Sequence, residues 1–244
     1  MNDYEKTTFV TLDNYIGLKN LIETFKISIT AAKMRSEPMG HILLKGPRGS
    51  GKRTLAYAVA EEIGNDVKTV SAKTIQSLSD LAAVLTNLNT GEVLILENLE
   101  AINHSCIDFL SDAMDSFAME TIVGKGLSSR TVRLDLSKFT LIAITDTATQ
   151  LPETLRKRFY INATLTDYSE NDLVLLAKKW SFTNEINITD EAAERIALFS
   201  RGSKRKLTNT LKRARDYAMV INNGEINAEI VDKTITSLTD NDFS

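Results

Sequence analysis

The sequence predicts an α/β fold with a doubly wound parallel sheet, followed by a small helical domain. Short apolar runs typical of buried strands alternate with helix-type periodicity over residues 20–165. A glycine-rich turn joins the first of these runs to a helix, and no buried strand pattern occurs after Tyr168. Because the pattern changes there, we expect two domains, at residues 1–166 and 167–244.

The first domain begins with a helix, predicted from the three- and four-residue spacing of Leu21, Phe25, Ile29 and Ala32 and ended by Pro38. Residues 121–136 consist of two β-type arms around a Gly/Ser turn, which predicts a projecting hairpin. Buried strands are predicted at residues 42–44, 93–96 and 139–144, and further strands at 67–70 and 159–163. Helices are predicted after the glycine-rich turn and at 78–88 and 105–116.

The second domain is expected to be helical. Its helices are predicted at residues 173–180, 190–199, 205–220 and 228–238, after a linker at 162–167. Thr189, Ser203 and Asn227 are candidate N-caps, because their side chains can accept hydrogen bonds from the free N–H groups at a helix start. Gly202 and Gly224 mark breaks between helices.

The composition excludes several classes of protein. A net charge of −3 gives no global case for nucleic-acid binding, so any DNA contact requires a local patch or a partner. One cysteine permits no internal disulfide, and the distant His41 and His104 have no metal-ligand spacing. No apolar run approaches the roughly 20 residues of a membrane span, and the N-terminus lacks a signal-peptide pattern. We therefore expect a cytoplasmic protein.

The glycine-rich turn, Gly46-Pro-Arg-Gly-Ser-Gly-Lys52, has the spacing of a phosphate-binding loop, and we call it the phosphate loop. Its glycines permit positive φ angles that aim backbone N–H groups at an anion, Lys52 adds a charge, and the following helix adds its dipole. The motif next requires a Ser or Thr for Mg²⁺, but this position is Arg53, and Thr54 points elsewhere on a helix. The alternative, a connection that binds nothing, is weakened by the flanking strand and helix patterns.

The buried strand at residues 93–96 is followed by Glu97 and Asn98. In P-loop ATPases the corresponding strand ends in an acidic residue on the metal side, commonly followed by a glutamate that activates water. Glu97 keeps a carboxylate that is one methylene longer than aspartate, whereas Asn98 cannot accept a proton.

Several segments besides the phosphate loop match a known family in the same order along the chain. They include Tyr15-Ile-Gly17, Asp80-Leu-Ala-Ala-Val-Leu-Thr-Asn-Leu88, Ile122-Val-Gly-Lys-Gly126, Leu155-Arg-Lys-Arg-Phe159 and Arg213-Ala-Arg-Asp-Tyr217. By these residues the sequence resembles the RuvB family, the bacterial AAA+ ATPases of Holliday-junction branch migration, along nearly all of its length. This resemblance implies an AAA+ large domain with a helical lid, ATP or ADP bound between them, and a hexameric ring.

The resemblance also implies roles for individual residues. Lys52 would contact the β- and γ-phosphates, Arg158 would be an arginine finger offered to the neighbouring subunit, and Arg205 would reach the γ-phosphate from the lid. The alternatives are a surface cation for Arg158 and a solvated helix face for Arg205. The predicted cofactor-binding residues are Tyr15, Ile16, Gly46, Gly49, Ser50, Gly51, Lys52, Arg53, Thr54, Tyr168 and Arg205, with Tyr15, Ile16 and Tyr168 around adenine.

The departures from the family are concentrated where it performs its chemistry. Arg53 replaces the metal-holding threonine, Glu97 the metal-side aspartate and Asn98 the catalytic glutamate, while Asp146, next to Thr145, takes the polar sensor position. Loss of a general base lowers rates by about 10²–10⁴. We therefore predict weak or absent hydrolysis and no metal ligand, except Glu97 if Mg²⁺ binds. Arg53 is hypothesised to take the cation position and to pair with Glu97 or Asp146. A decaying, empty pocket is the alternative.

Three functions are compatible with these residues. The first is a nucleotide-binding RuvB-like subunit that forms rings or mixed assemblies with RuvB-like chains in recombination and repair. The second is an active ATP-dependent branch-migration helicase, and the third is an interaction module without nucleotide. In the family, residues 121–136 dock onto RuvA, so a RuvA-like partner is expected. RuvB chains continue into a winged-helix domain, and this sequence stops at Ser244, which argues against direct DNA binding.

Overall fold

The computed structural model describes residues 10–123, 130–146 and 151–241. Over this part of the chain there are two compact units. The first contains the residues up to Tyr15, Asn20–Gly46 and Lys52–Thr164, and the second contains Ile16–Lys19, Pro47–Gly51 and the chain from Leu165 onward. The units are discontinuous in sequence, so the predicted domain boundary at residues 166 and 167 stays a prediction.

The first unit is built on a parallel sheet, as the sequence predicted. Among the described residues this sheet has five strands in the order β2-β3-β6-β1-β7, and every pairing is parallel. Its strands are β1 (Ile42–Lys45), β2 (Val67–Ser71), β3 (Val93–Glu97), β6 (Thr140–Thr145) and β7 (Ile161–Thr164). The central strands β1, β3 and β6 are almost wholly buried, which explains why they are apolar without alternation.

The helices of the first unit alternate with these strands. They are α1 (Lys19–Arg35), α2 (Lys52–Ile63), α3 (Leu78–Thr86), α4 (His104–Ser116) and α5 (Glu153–Arg156). The start of α3 is fixed by a capping box, in which Ser77 and Asp80 satisfy each other's backbone N–H groups. Asn103 caps α4 by accepting from the Ser105 N–H group. Buried leucine and isoleucine side chains of α3, α4 and the sheet form one core.

His41 fastens the start of β1 to its neighbours. Its Nδ1 accepts a hydrogen bond from the Leu141 N–H group at 3.0 Å, so its Nε2 carries the proton and donates to the Met114 carbonyl at 3.2 Å. The ring also lies 5.4 Å from the Phe139 ring and 6.1 Å from the Phe117 ring. Burial lowers the pKa of His41, more than its hydrogen bond to Met114 raises it. The neutral imidazole therefore links β1 to β6 and α4.

The predicted hairpin at residues 121–136 is present as two antiparallel strands that begin earlier in the chain. These are β4 (Ala118–Val123) and β5 (Arg130–Asp135), paired from Ala118 opposite Asp135 to Val123 opposite Arg130. The start at Ala118 follows from Phe117, whose left-handed backbone (φ 47°) ends α4. The predicted Gly/Ser turn lies at 124–129, outside the described residues.

The second unit is helical, as predicted. Between residues 165 and 241, all of which are described, the helices are α6 (Glu170–Thr183), α7 (Asp190–Ser200), α8 (Lys204–Ile221) and α9 (Ala228–Asn241). Thr189 and Ser203 accept from the N–H groups of Ala192 and Lys206, and Asn227 accepts from that of Ile230, so the predicted N-caps are confirmed. The four helices enclose a separate apolar core around Leu173, Ile196 and Leu211.

Two boundaries predicted from the sequence were wrong. The last strand begins at Ile161 instead of residue 159, because the turns that end α5 extend to Phe159, whose N–H group bonds to the Arg156 carbonyl. Residues 162–164 consequently belong to β7, and the linker is shorter than the predicted 162–167. The short α5 was missed because four residues carry too little periodicity. No helix in the described residues is long and apolar enough to span a membrane.

Candidate functional site

The candidate site lies at the carboxyl ends of three neighbouring strands. In the sheet β6 lies between β3 and β1, so the residues that follow these strands meet at one edge. β3 ends at Glu97 and is followed by Asn98, β6 is followed by Asp146, and β1 leads into the phosphate loop. The topology therefore brings together residues that are about 50 positions apart in sequence.

The phosphate loop has the backbone that its glycines predicted. Gly46, Gly49 and Gly51 have φ angles of 147°, 90° and 90°, which other residues rarely adopt. The Ser50 N–H group donates to the Pro47 carbonyl at 3.3 Å, which tightens the turn. Helix α2 starts at Lys52, directly after the loop, so its free N–H groups and positive dipole end follow the turn.

In the second unit, the tip of the loop packs closely against the start of α8. A Cβ atom on Gly49 would lie 2.9 Å from the Ser203 hydroxyl and 3.1 Å from the Arg205 Cβ, so a larger residue does not fit without rearrangement. The Ser50 hydroxyl is buried, and within the described chain it has no hydrogen-bond partner. A buried hydroxyl without a partner is unfavourable by itself and is common where a ligand group is received.

Lys52 is buried and paired inside the first unit. Its ammonium group donates to the Gly46 carbonyl at 2.6 Å and lies 2.9 Å from the Asp146 carboxylate. Only 7% of its side chain is exposed, so the charge interaction is less screened than at the surface. Both residues were identified from the sequence, but their contact was missed, because no sequence pattern indicates which cation pairs with Asp146.

Arg53 is the cation that meets Glu97. Its Nε and one terminal nitrogen each donate to a different oxygen of the Glu97 carboxylate, in the bidentate geometry that suits a guanidinium. The sequence hypothesis allowed Arg53 to pair with Glu97 or Asp146, and the pairing with Glu97 is confirmed. The side chain of Glu97 is 13% exposed and that of Arg53 is 48% exposed, so one end of this ion pair is accessible to water.

Asn98 adopts a left-handed backbone with φ 56°, and its side-chain oxygen accepts from the Ser71 hydroxyl at 3.3 Å. Glu100, two residues further along the chain, accepts from the Thr145 hydroxyl at 2.8 Å. The contacts of Ser71 and Glu100 were not predicted, because they depend on how β2 and β6 flank β3. Position 98 therefore presents an amide in a polar network, with no proton-accepting carboxylate of its own.

The other predicted site residues are placed as follows. Tyr168 packs against Gly17, with its ring 3.5 Å from the position of a Cβ there, and its N–H group donates to the Gly202 carbonyl at 3.0 Å. Tyr15, Ile16 and Thr54 are half-buried, and Arg205 is exposed. Their roles toward a nucleotide stay predictions.

Arg158, the predicted arginine finger, is held inside its own chain. Its Nε donates to the Asp115 carboxylate at 2.8 Å and a terminal nitrogen donates to the Thr154 carbonyl at 2.6 Å. Contact with a neighbouring subunit would require this side chain to leave or share these partners. Its role in trans stays a prediction.

Among the described residues, no group of three or more His, Cys, Asp or Glu side chains is arranged to hold a metal ion.

Comparison with known proteins identifies the family. The chain matches the Holliday junction DNA helicase RuvB P-loop domain at residues 9–165 and the RuvB AAA lid domain at residues 168–240. The chain belongs to the RuvB family. Curated RuvB subunits of the Holliday junction branch migration complex from Kosmotoga olearia and Streptococcus agalactiae are 39% and 40% identical to it over 221 and 227 residues.

RuvB structures have the same fold. The RuvB Holliday junction branch migration motor of Thermotoga maritima matches 95% of this chain and 73% of its own, with a TM-score of 0.84 and 32% identity. A mutant RuvB from the same organism gives a TM-score of 0.86 at 33% identity, covering 94% of this chain and 73% of that one. The chain spans 65% of the length of the Kosmotoga RuvB and 68% of the Streptococcus RuvB.

Proposed function

We propose that this RuvB-family protein binds an adenine nucleotide through its phosphate loop without Mg²⁺ and hydrolyses it slowly or not at all. The observation that carries the proposal is the bidentate ion pair of Arg53 with Glu97, beside a phosphate loop that keeps its glycine backbone and its lysine. We further propose that it serves as a regulatory or scaffolding subunit in recombination and repair at Holliday junctions.

The phosphate loop suits an anion. Positive φ angles at its glycines aim successive N–H groups at one point, and the start of α2 adds a positive dipole end. The unpartnered hydroxyl of Ser50 is a further donor that a phosphate oxygen could satisfy. Lys52 reaches the β- and γ-phosphates in loops of this type. These features support phosphate binding independently of any metal.

Mg²⁺ does not suit the side chains beside the loop. A guanidinium has no lone pair for a metal and carries a positive charge, and Glu97, the carboxylate on the metal side, already accepts two hydrogen bonds from it. At about 4 Å, an arginine and a divalent cation repel each other by several kcal/mol at an effective dielectric near 20. Arg53 is therefore proposed to take the electrostatic role of the ion.

Slow hydrolysis follows from Asn98. An attacking water needs an acceptor for its proton, and an amide side chain does not provide one at neutral pH. Glu100, which is close in sequence, is held by the Thr145 hydroxyl. An active motor remains the second candidate, because the chain matches RuvB subunits over most of its length and retains a carboxylate at Glu97.

The assembly and the remaining contacts are proposed from the family. Tyr15, Ile16 and Tyr168 are proposed to contact adenine, and Arg205 the terminal phosphate. The relatives named RuvB are subunits of a branch migration complex, which supports a ring or a mixed assembly with RuvB-like chains. The β4–β5 hairpin is proposed to contact a RuvA-like partner.

Calorimetric titration of the purified chain with ATP and ADP, in EDTA and in Mg²⁺, tests nucleotide binding. Phosphate release by the wild type and by Asn98→Glu tests hydrolysis. We expect binding in EDTA that Mg²⁺ does not tighten, with turnover near background in the wild type. Brisk wild-type turnover with Mg²⁺-tightened binding would establish the active motor instead. No binding of either nucleotide would establish an interaction module.

A further inference from the structure

We infer that the site selects nucleoside diphosphates over triphosphates, and that Asp146 is the residue that sets this selectivity. This inference rests on the proposed nucleotide binding and specifies its ligand. The carboxylate of Asp146 stands 2.9 Å from the Lys52 ammonium, the side-chain cation of the phosphate-loop motif that reaches the β- and γ-phosphates. A phosphate oxygen bonded to Lys52 then lies within about 6 Å of that carboxylate, the sum of two hydrogen-bond lengths.

An ionised carboxylate repels a phosphate at this distance. Both groups accept hydrogen bonds and neither donates, so a favourable contact needs a cation or a proton between them. In P-loop enzymes a metal ion bridges the β- and γ-oxygens and neutralises their charge. In this chain the neighbouring cation, Arg53, is neutralised by Glu97. Lys52 and Arg53 are thus each paired with a carboxylate, Asp146 and Glu97 respectively.

The backbone N–H groups of the loop supply further positive partial charge, but they do not reach all phosphates of a nucleotide equally. Loop N–H groups of this motif surround the α- and β-phosphates, and their partial charges do not depend on Asp146 or Arg53. A γ-phosphate extends beyond these N–H groups, so it depends on Lys52, which Asp146 already neutralises, and on the proposed contact with Arg205. A diphosphate therefore keeps nearly all of the favourable contacts, and a triphosphate adds the repulsion from Asp146.

The test compares ADP and ATP affinities in EDTA for the wild type, Asp146→Asn, Asp146→Glu and the control Asp108→Asn. Asp108 is exposed on α4 and matches the charge change. We expect the wild type to bind ADP at least tenfold more tightly than ATP. Asp146→Asn should reduce this ratio at least tenfold by tightening ATP, whereas Asp146→Glu and Asp108→Asn should preserve it.

The outcomes separate this inference from the proposed function. Equal affinities in the wild type, or tighter ATP binding, would overturn diphosphate selectivity and leave nucleotide binding standing. A wild-type ratio that Asp146→Asn does not change would remove Asp146 as its cause. Failure of the wild type to bind either nucleotide would overturn the proposed function and this inference with it. The wild-type measurement needs no variant, so a misfolded variant does not prevent the test.

Discussion

The phosphate loop and the strand ends beside it encode their chemistry in different ways. Anion binding by the loop depends on backbone geometry, through the positive φ angles at Gly46, Gly49 and Gly51. Metal binding and water activation at the ends of β3 and β6 depend on the identity of single side chains, and these are now Glu97, Asn98 and Asp146. One region keeps the residues that the family resemblance implies, and at the other we propose that metal binding and water activation are lost.

The difference teaches that the two halves of a P-loop site can change independently. The loop needs several glycines at once to place its N–H groups, so its geometry is shared among many atoms. At the strand ends, replacing one side chain is enough to remove one function. Ion pairs can then neutralise the carboxylates that are left, as Arg53 does for Glu97 and Lys52 does for Asp146. If the metal is lost as proposed, these pairs would keep the site folded and its charges balanced.

The largest expected effect comes from restoring the strand-end side chains. The triple variant Arg53→Thr, Glu97→Asp, Asn98→Glu returns a metal-binding hydroxyl, a shorter carboxylate and a general base. We expect Mg²⁺-dependent phosphate release to rise by about 10²–10⁴ over the wild type, the usual contribution of a positioned base. Adding Lys52→Ala to the triple variant is the control and should abolish the gain. If the triple variant binds ATP and Mg²⁺ but releases phosphate no faster than the wild type, the phosphate loop region must also limit hydrolysis.

The next effect concerns the sheet that carries the loop. His41→Phe preserves an aromatic ring against Phe117 and Phe139, but leaves the Leu141 N–H group and the Met114 carbonyl without their partner. Two unsatisfied buried groups should lower the free energy of unfolding by about 2–4 kcal/mol, measured by urea denaturation. The exposed His104, changed to Phe, is the matched control.

The change of protein stability with pH provides a second test of His41. The pKa of His41 is lowered in the folded protein, so below pH 6.5 the unfolded chain binds a proton that the folded chain does not. The wild type should therefore lose stability as pH falls from 6.5, and His41→Phe should lack this part of the decline. If the stability of the wild type and of His41→Phe fell equally with pH, the lowered pKa of His41 would be contradicted.

A smaller effect is expected from the loop backbone itself. Gly49→Ala places a Cβ 2.9 Å from the Ser203 hydroxyl at a φ of 90°, so the tip of the loop must shift. We expect nucleotide affinity to fall by roughly 10- to 100-fold, equivalent to the 1–3 kcal/mol of backbone strain and displacement. Gly224→Ala is a close control, because Gly224 has a φ of 87° and nothing within 4 Å of its Cβ position. Equal nucleotide affinities of Gly49→Ala and Gly224→Ala would contradict a role of the loop backbone in anion binding.

The sequence predicted the backbone-encoded region better than the side-chain contacts. The strand, loop and helix around Gly46–Lys52 were predictable because glycine and apolar periodicity act locally, and Ser203 was predictable as a cap for the same reason. The pairing of Lys52 with Asp146 was not, because it depends on β6 lying beside β1, about 100 positions away in sequence. The strand start at Ile161 also depended on its register with Ile42 and not on its own composition.

The smallest effect tests the electrostatics of α8, the helix whose first residues pack against the loop tip. Burial, and then the nearby Lys179 charge, lower the pKa of Lys204 to about 8 from 10.5. Between these values the unfolded chain holds a proton that the folded chain has released, so stability rises with pH. Relative to Lys204→Met, the wild type should gain roughly 1–2 kcal/mol in unfolding free energy from pH 7.5 to 9.5, measured by urea denaturation. The exposed Lys233, changed to Met, should produce no such difference. An equal difference for Lys233→Met would mean that the rise in stability with pH reflects the net charge of the protein and not the burial of Lys204.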